Sequence, residues 1–364
     1  MKMQDWIAAM VSLFCLVFPA SARSWKELAS PEASGCWVRP AQGKPARALW
    51  GHVEGLRVGL SPLPGPRGLL RLYAPYLGHR EGRMINFIAV EPIPEGQTHR
   101  GFSELERSDL DQVRGKRFWS ADCPREASPQ PVIYPARGVV ESEGDVETLT
   151  VYILVERFKN GAHVYLRLRF HSNHPYEVEI APLAWEDSVP LRHCIITATM
   201  GNYARLRTLY LKDRTQSSRD LWPHHSGTAF TPHARFPLRD LIRTAEGEAL
   251  FIAAPDEAHP DEADYAPGTF SGWKYSGVVA TQYWRCEHPR PGLEGWVNGR
   301  SVYWASECSI PGGVAFENLE LVEPFCDGAA YRFGITRKSP EELIDVENLL
   351  NEPPAPAVPP PMED

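Results

Sequence analysis

The sequence is short of the signatures that would settle a mechanism quickly. It has no C-x-x-C pair and no Cys/His cluster with zinc-ligand spacing, so no metal site can be read from it. It has no G-x-S-x-G, which argues against a nucleophile-elbow esterase. Gly65-Pro66-Arg67-Gly68 is rich in Gly and Pro but lacks phosphate-loop spacing and reads as a turn. No cofactor motif is present. Heptad runs, fixed-period repeats and a second long apolar run are missing, which excludes a coiled coil, a solenoid and a polytopic membrane protein. Basic residues are lacking at the C-terminal end. Residues 339–364 hold seven carboxylates and no Lys or Arg, and so account for nearly all of the net charge of −8. A near-neutral body argues against general nucleic-acid binding.

What is present is the material of a large β protein. The 364 residues are 43% hydrophobic and 23% charged, enough for a real core. Pro 34 and Gly 28 supply many turns, and the 11 Trp suit strands or a ligand-stacking surface. From Leu56 onward, short segments rich in Val, Ile, Leu, Tyr and Phe are punctuated by Gly and Pro (GLRVGL, RMINFIAVEPI, TLTVYILVERF, HVYLRLRF, GGVAFENLELVE). This spacing predicts an all-β jelly roll or β-sandwich over residues 23–338, with a loop excursion at 211–247 holding His224, His225 and His233. Ser339-Pro340-Glu341-Glu342 is a capping box that predicts a short helix over 340–350, followed by an acidic Pro-rich tail.

Residues 1–22 read as a secretory signal. Lys2 precedes an apolar run from Ile7 to Phe18, and Ala20-Ser21-Ala22 has the small-x-small form that precedes cleavage. The expected location is secreted or periplasmic, without a membrane span after cleavage. Cys36, Cys123, Cys194, Cys286, Cys308 and Cys326 would then meet an oxidising compartment, where one to three disulfides are expected. Six cysteines allow fifteen pairings, with Cys286–Cys308 the favoured local pair.

One strand pattern bears on chemistry. In residues 164–171, Val164, Leu166, Leu168 and Phe170 alternate with Tyr165, Arg167, Arg169 and His171, so one face is apolar and the other basic and aromatic. If residues 199–207 are extended, Tyr203, Arg205 and Arg207 share a side. Adjacent strands of this kind would form a groove for carboxylate or sulfate groups, with rings to stack on sugars. The competing reading is an ordinary wet face paired to Glu177 or Glu179. In Arg100–Arg107, an extended chain would bring Glu104 and Glu106 to one side, roughly 6–7 Å apart, near the carboxyl spacing of an inverting glycosidase. The competing reading there is an ion-paired strand edge. Trp296 and Trp304 flank an Asn298-Gly299 hairpin signal and read as core or rim aromatics.

Ser103-Glu104-Leu105 with Arg107 resembles the R-S-E-L-R strand of jelly-roll polysaccharide lyases of the alginate-lyase type. Gly201-Asn202-Tyr203 is similar to their K-A-G-x-Y strand, and Val314–Leu321 to the closing strand of concanavalin A-like folds. Phe102 and Glu106 stand where that family has Arg, no Q-I-H or Q-V-H triplet is present, and no E-x-D-x-x-E hydrolase strand occurs. The resemblance implies cleavage of an anionic, uronate-containing polysaccharide by β-elimination. Arg100, Arg167, Arg169, Arg205 or Asn202 would neutralise the carboxylate. His171, His193 or Tyr203 would act as base, and Tyr203 also as acid, with Tyr165 and Arg207 completing the binding set. A glycoside hydrolase using Glu104 and Glu106, and a non-catalytic carbohydrate-binding protein of the cell envelope, are the alternatives.

Overall fold

The computed structural model describes residues 25–77, 84–199, 205–256, 280–302, 309–310 and 312–344. Residues 1–22, read above as a signal, the Pro-rich tail, Asn202, Tyr203 and Cys308 lie outside them.

The chain forms two antiparallel sheets. It begins with β1 (Glu32–Ser34), β2 (Trp37–Arg39), β3 (Leu49–His52), β4 (Arg57–Gly59), β5 (Leu70–Tyr73) and β6 (Met84–Pro94) in the first sheet. It crosses to the second with β7 (Phe118–Ala121), β8 (Val139–Glu143), β9 (Val146–Val155), β10 (Val164–His171) and β11 (Glu177–Ala184). β12 (Leu191–Thr199) returns to the first sheet. β13 (Leu206–Tyr210) and β14 (Thr215–Ser217) join the second, followed by the short helix α1 (Ser218–Leu221). β15 (Ala234–Pro237) edges the first sheet, and β16 (Ile242–Arg243), β17 (Ala249–Pro255) and β18 (Thr281–Cys286) extend the second. β19 (Glu294–Arg300) and β20 (Ala315–Val322) complete the first, and β21 (Tyr331–Thr336) the second, before helix α2 (Pro340–Leu343). The first sheet has ten strands in the order β1-β2-β3-β4-β5-β6-β12-β20-β19-β15. The second has eleven, ordered β14-β13-β17-β18-β21-β11-β10-β9-β7, with β16 on β17 and β8 on β9.

The period-two pattern decides what lies between the sheets. Ile88, Val90, Ile196, Phe316 and Leu319 of the first sheet share one core with Val151, Leu166, Leu168, Phe170, Phe251, Trp284 and Phe333 of the second. Such burial, at about 25 cal/mol per Å² of apolar surface, is the main force holding the sheets together. The Trp284 indole also donates across the sandwich to the Leu319 carbonyl at 2.8 Å. The all-β sandwich expected from the alternation is therefore present.

Several local expectations are corrected. Residues 103–105 form a turn instead of a strand, because the Leu105 and Glu106 amides both bond back to the Phe102 carbonyl. Residues 211–247 hold β14, α1, β15 and β16, so the excursion is partly woven into both sheets. Segments 164–171 and 199–207 are not neighbours, since four strands separate β10 from β13. Arg205 also breaks the extended run, with φ of 40°. Cys36, Cys123, Cys194, Cys286 and Cys326 are free thiols. Cys194 and Cys286 are packed into the core as small apolar groups, and burial pushes the Cys286 thiol up to about 12. The capping box at Ser339 is formed and starts α2.

Gly334 of β21 shows how closely the second sheet's outer face is fitted. A Cβ there would lie 2.1 Å from Tyr283 Cζ. Its absence lets the Tyr283 ring lie across β21 and donate from Oη to Glu177 of β11 at 2.7 Å. Gly334→Ala displaces that ring and is expected to cost ~1–3 kcal/mol by overpacking, read as a lower urea midpoint. An unchanged midpoint would contradict this fit.

Candidate functional site

The side of the ten-stranded sheet that faces away from the core carries a line of residues set by strand register. Ala89 of β6 pairs with Thr197 of β12, and Thr197 with Glu320 of β20. Glu320 pairs with Trp296 of β19, and Trp296 with Arg235 of β15. At about 4.8 Å per strand this line spans about 19 Å. Glu91 stands two residues further along β6, and His233 directly precedes β15.

Arg100 reaches this line from the segment after β6. The Gly101 amide bonds to the Pro92 carbonyl at 2.9 Å and the Ser103 amide to the Val90 carbonyl at 3.2 Å, so the segment continues along the edge of β6. The buried Ser103 hydroxyl fixes it further, donating to the Gly68 carbonyl and accepting from the Val90 amide. Arg100 Nη1 then donates to Glu91 Oε2 at 2.6 Å and Glu320 Oε1 at 2.9 Å, and Nη2 donates to Glu320 Oε2 at 3.2 Å. Thr197 Oγ1 donates to Glu320 Oε1 at 3.2 Å, and His233 Nε2 lies 3.5 Å from the same oxygen.

The group has two tiers. Glu320 is wholly buried and Arg100 retains 13% exposure, whereas His233 keeps 26% and Arg235 is exposed. The Arg235 guanidinium sits 4.0 Å above the Trp296 ring, whose indole donates to Glu294 at 2.7 Å. Among the described residues, Arg235 has no carboxylate partner. The upper tier thus offers a cation, an aromatic ring and an imidazole, and the lower tier holds them in place.

The electrostatics follow from crowding. Burial pushes the Glu91 carboxyl up to about 8, against the pull of Arg100 and with the help of Glu320 and Glu104. Burial also raises Glu104. Burial alone would raise Glu320 too, but the His233 hydrogen bond and the Arg100 guanidinium hold it below the usual carboxylate range. Further along β20, burial pushes Glu317 up to about 7. Perturbed carboxylates gathered around one largely buried cation, Arg100, mark a candidate functional site.

Of the residues singled out from sequence, Arg100 and Glu104 belong to this group. His193 lies at the far end of β12, with Nδ1 2.7 Å from the Glu323 carbonyl. Glu106 does not share a strand face with Glu104. It sits 3.4 Å from Lys116 Nζ and accepts from the Lys159 amide. Tyr165, Arg167, Arg169 and His171 face away from the core on the other sheet, with the core between them and Arg100. Arg167 and Arg169 approach Glu179, as the wet-face reading anticipated. Arg207 is buried against Asp256 at 3.0 Å, and Arg205 is also buried, so neither lines an open groove. Sequence reasoning missed Glu91, Glu320, Thr197 and Arg235, and gave His233 and Trp296 other roles. The available signal was a lone carboxylate inside each of two apolar strands, FIAVEPI and NLELV. No protein-family profile, curated protein or solved structure matches the chain.

The Glu91 proton has a measurable consequence. Its folded-state value of about 8 exceeds the unfolded value near 4.3, so the native state binds the extra proton between them. That contribution is complete below about pH 4.3 and is lost as pH rises through 8. Glu91→Gln, which mimics the protonated form, should flatten the fall in urea midpoint between pH 5 and 8. Parallel wild-type and variant curves would remove Glu91 as the proton carrier.

Proposed function

We propose that the protein is an extracytoplasmic carbohydrate-active enzyme that binds an anionic, uronate-containing polysaccharide on the face of the ten-stranded sheet that points away from the core. It cleaves that chain by β-elimination. The observation that carries this reading is the pairing of Arg235, which stacks on Trp296 and has no carboxylate partner among the described residues, with a partly exposed imidazole two residues away. A guanidinium fits a sugar carboxylate in bidentate fashion, and an indole suits the apolar face of a sugar ring. Export follows from the signal-like N-terminus.

The chemistry needs few groups. Arg235 neutralises the uronate carboxylate and so acidifies the C5 hydrogen. His233 takes that proton, the C5 electron pair becomes the C4=C5 double bond, and the C4–O4 bond breaks. The imidazolium then returns its proton to the departing O4. Glu320 takes no part in bond making. It orients His233 and stabilises the imidazolium, as a buried carboxylate does for a catalytic histidine elsewhere.

Hydrolysis is the second reading, favoured by the opposite displacement of Glu91 and Glu320, the pattern of an acid and a base. The burial of Glu320 and the engagement of its oxygens by Arg100, Thr197 and His233 weigh against it.

Incubation with alginate, pectate and glucuronan, followed by near-ultraviolet absorbance and reducing-end assay, separates these readings. The expected result is an unsaturated product, with kcat lowered about 10²–10⁴-fold by His233→Ala. Arg235→Ala is expected to raise KM at least tenfold. Reducing ends without ultraviolet absorbance would replace elimination by hydrolysis, and binding without products would leave a carbohydrate-binding protein.

A further inference from the structure

The outer face of the eleven-stranded sheet carries a second constellation that the proposed reaction does not use. Tyr165, Arg167, Arg169 and His171 stand in one row along β10, with a roughly 6.7 Å repeat. Tyr152 of β9 pairs directly with Arg167, and its ring lies 6.3 Å from Tyr165. Trp185, just beyond β11, brings its ring within 4.6 Å of Tyr165 and 5.7 Å of His163. Three large rings therefore form a shelf that continues into two cations.

Those cations are only loosely engaged. Arg167 Nη2 and Arg169 Nη1 lie 3.7 and 3.6 Å from the same oxygen of Glu179, beyond hydrogen-bond range. That Oε1 accepts no hydrogen bond, and the buried Arg167 Nε has no partner. Glu179 is oriented instead through its other oxygen, 3.3 Å from His171 Nε2, while His171 Nδ1 meets Thr148 at 3.1 Å. One carboxylate thus faces two guanidiniums without satisfying either. An incoming anion would meet the solvent-facing guanidinium nitrogens, which make only long ion pairs to Glu179, and would gain charge-assisted hydrogen bonds there. Arg169 keeps 38% exposure and Arg167 21%, so both are reachable from solvent.

We propose that this face is a second, non-catalytic binding surface for an anionic polysaccharide. Arg167 and Arg169 grip successive acidic groups while Tyr165 and Trp185 support the sugar rings. An enzyme acting on a polymer gains from such a surface through effective concentration, because a chain held on one face presents its remaining length to the other. The proposal stands apart from the elimination reading, since binding can be measured in a protein that turns nothing over.

The test uses the full chain carrying His233→Ala and Arg235→Ala, so that the first face contributes little. Affinity electrophoresis in gels containing alginate or pectate reads retention, with dextran as the neutral control. Adding Arg167→Ala and Arg169→Ala is expected to weaken retention at least tenfold and to reduce its salt dependence. Arg167→Lys with Arg169→Lys controls for folding, and should keep part of the retention and an unchanged circular dichroism spectrum. Retention unaltered by the alanine pair would overturn the proposal, as would equal retention in dextran. Equal retention in gels containing a DNA oligonucleotide would also overturn it, because the surface would then read charge without sugar.

Discussion

A carboxylate with no exposure to water holds the proposed working face together. Glu320 remains an anion inside the protein because Arg100, Thr197 and His233 all bring hydrogen-bonding groups to it. Removing a charge from water costs several kcal/mol unless such partners replace the solvent. The same contacts pin a loop, two strands and an imidazole to one point. Backbone bonds to β6 place the Arg100 segment and the β15–β19 register places His233 beside Trp296, so that both reach that one group.

Because Arg100 also serves Glu91, and Glu104 is close by, there are more carboxylates than cations in the lower tier. Burial and the neighbouring carboxylates push Glu91 upward, which favours a proton on that group over a further buried anion. The upper tier is left with a cation, Arg235, that stacks on Trp296 and meets no carboxylate among the described residues. A face built this way presents positive charge outward over a buried acidic floor, an arrangement suited to a carboxylated ligand. On the opposite sheet two arginines share the single carboxylate of Glu179 in ion pairs longer than a hydrogen bond.

The legible part of the sequence was whatever a local period controls. Residues 164–171 announced their inward and outward faces outright, and Ser339 announced its capping box. The sandwich followed from many such segments together. The site was mostly illegible, because its parts meet through register between distant strands. Arg100 and Glu320 are 220 residues apart, and nothing local pairs them. Arg100 and Glu104 were found for an incomplete reason, since their segment resembled a strand yet works as a turn clamped by Ser103. The supposed single groove failed on topology: strand faces of similar composition were separated by four intervening strands of the same sheet.

The central claim is that Arg235, Trp296 and His233 receive one uronate unit above Glu320. A crystal structure of the His233→Ala protein with an oligouronate tests it most directly. The account predicts a sugar carboxylate on the Arg235 guanidinium, with the ring against Trp296 and C5 turned toward position 233. Clear density for the oligosaccharide elsewhere, with this face empty, would contradict it.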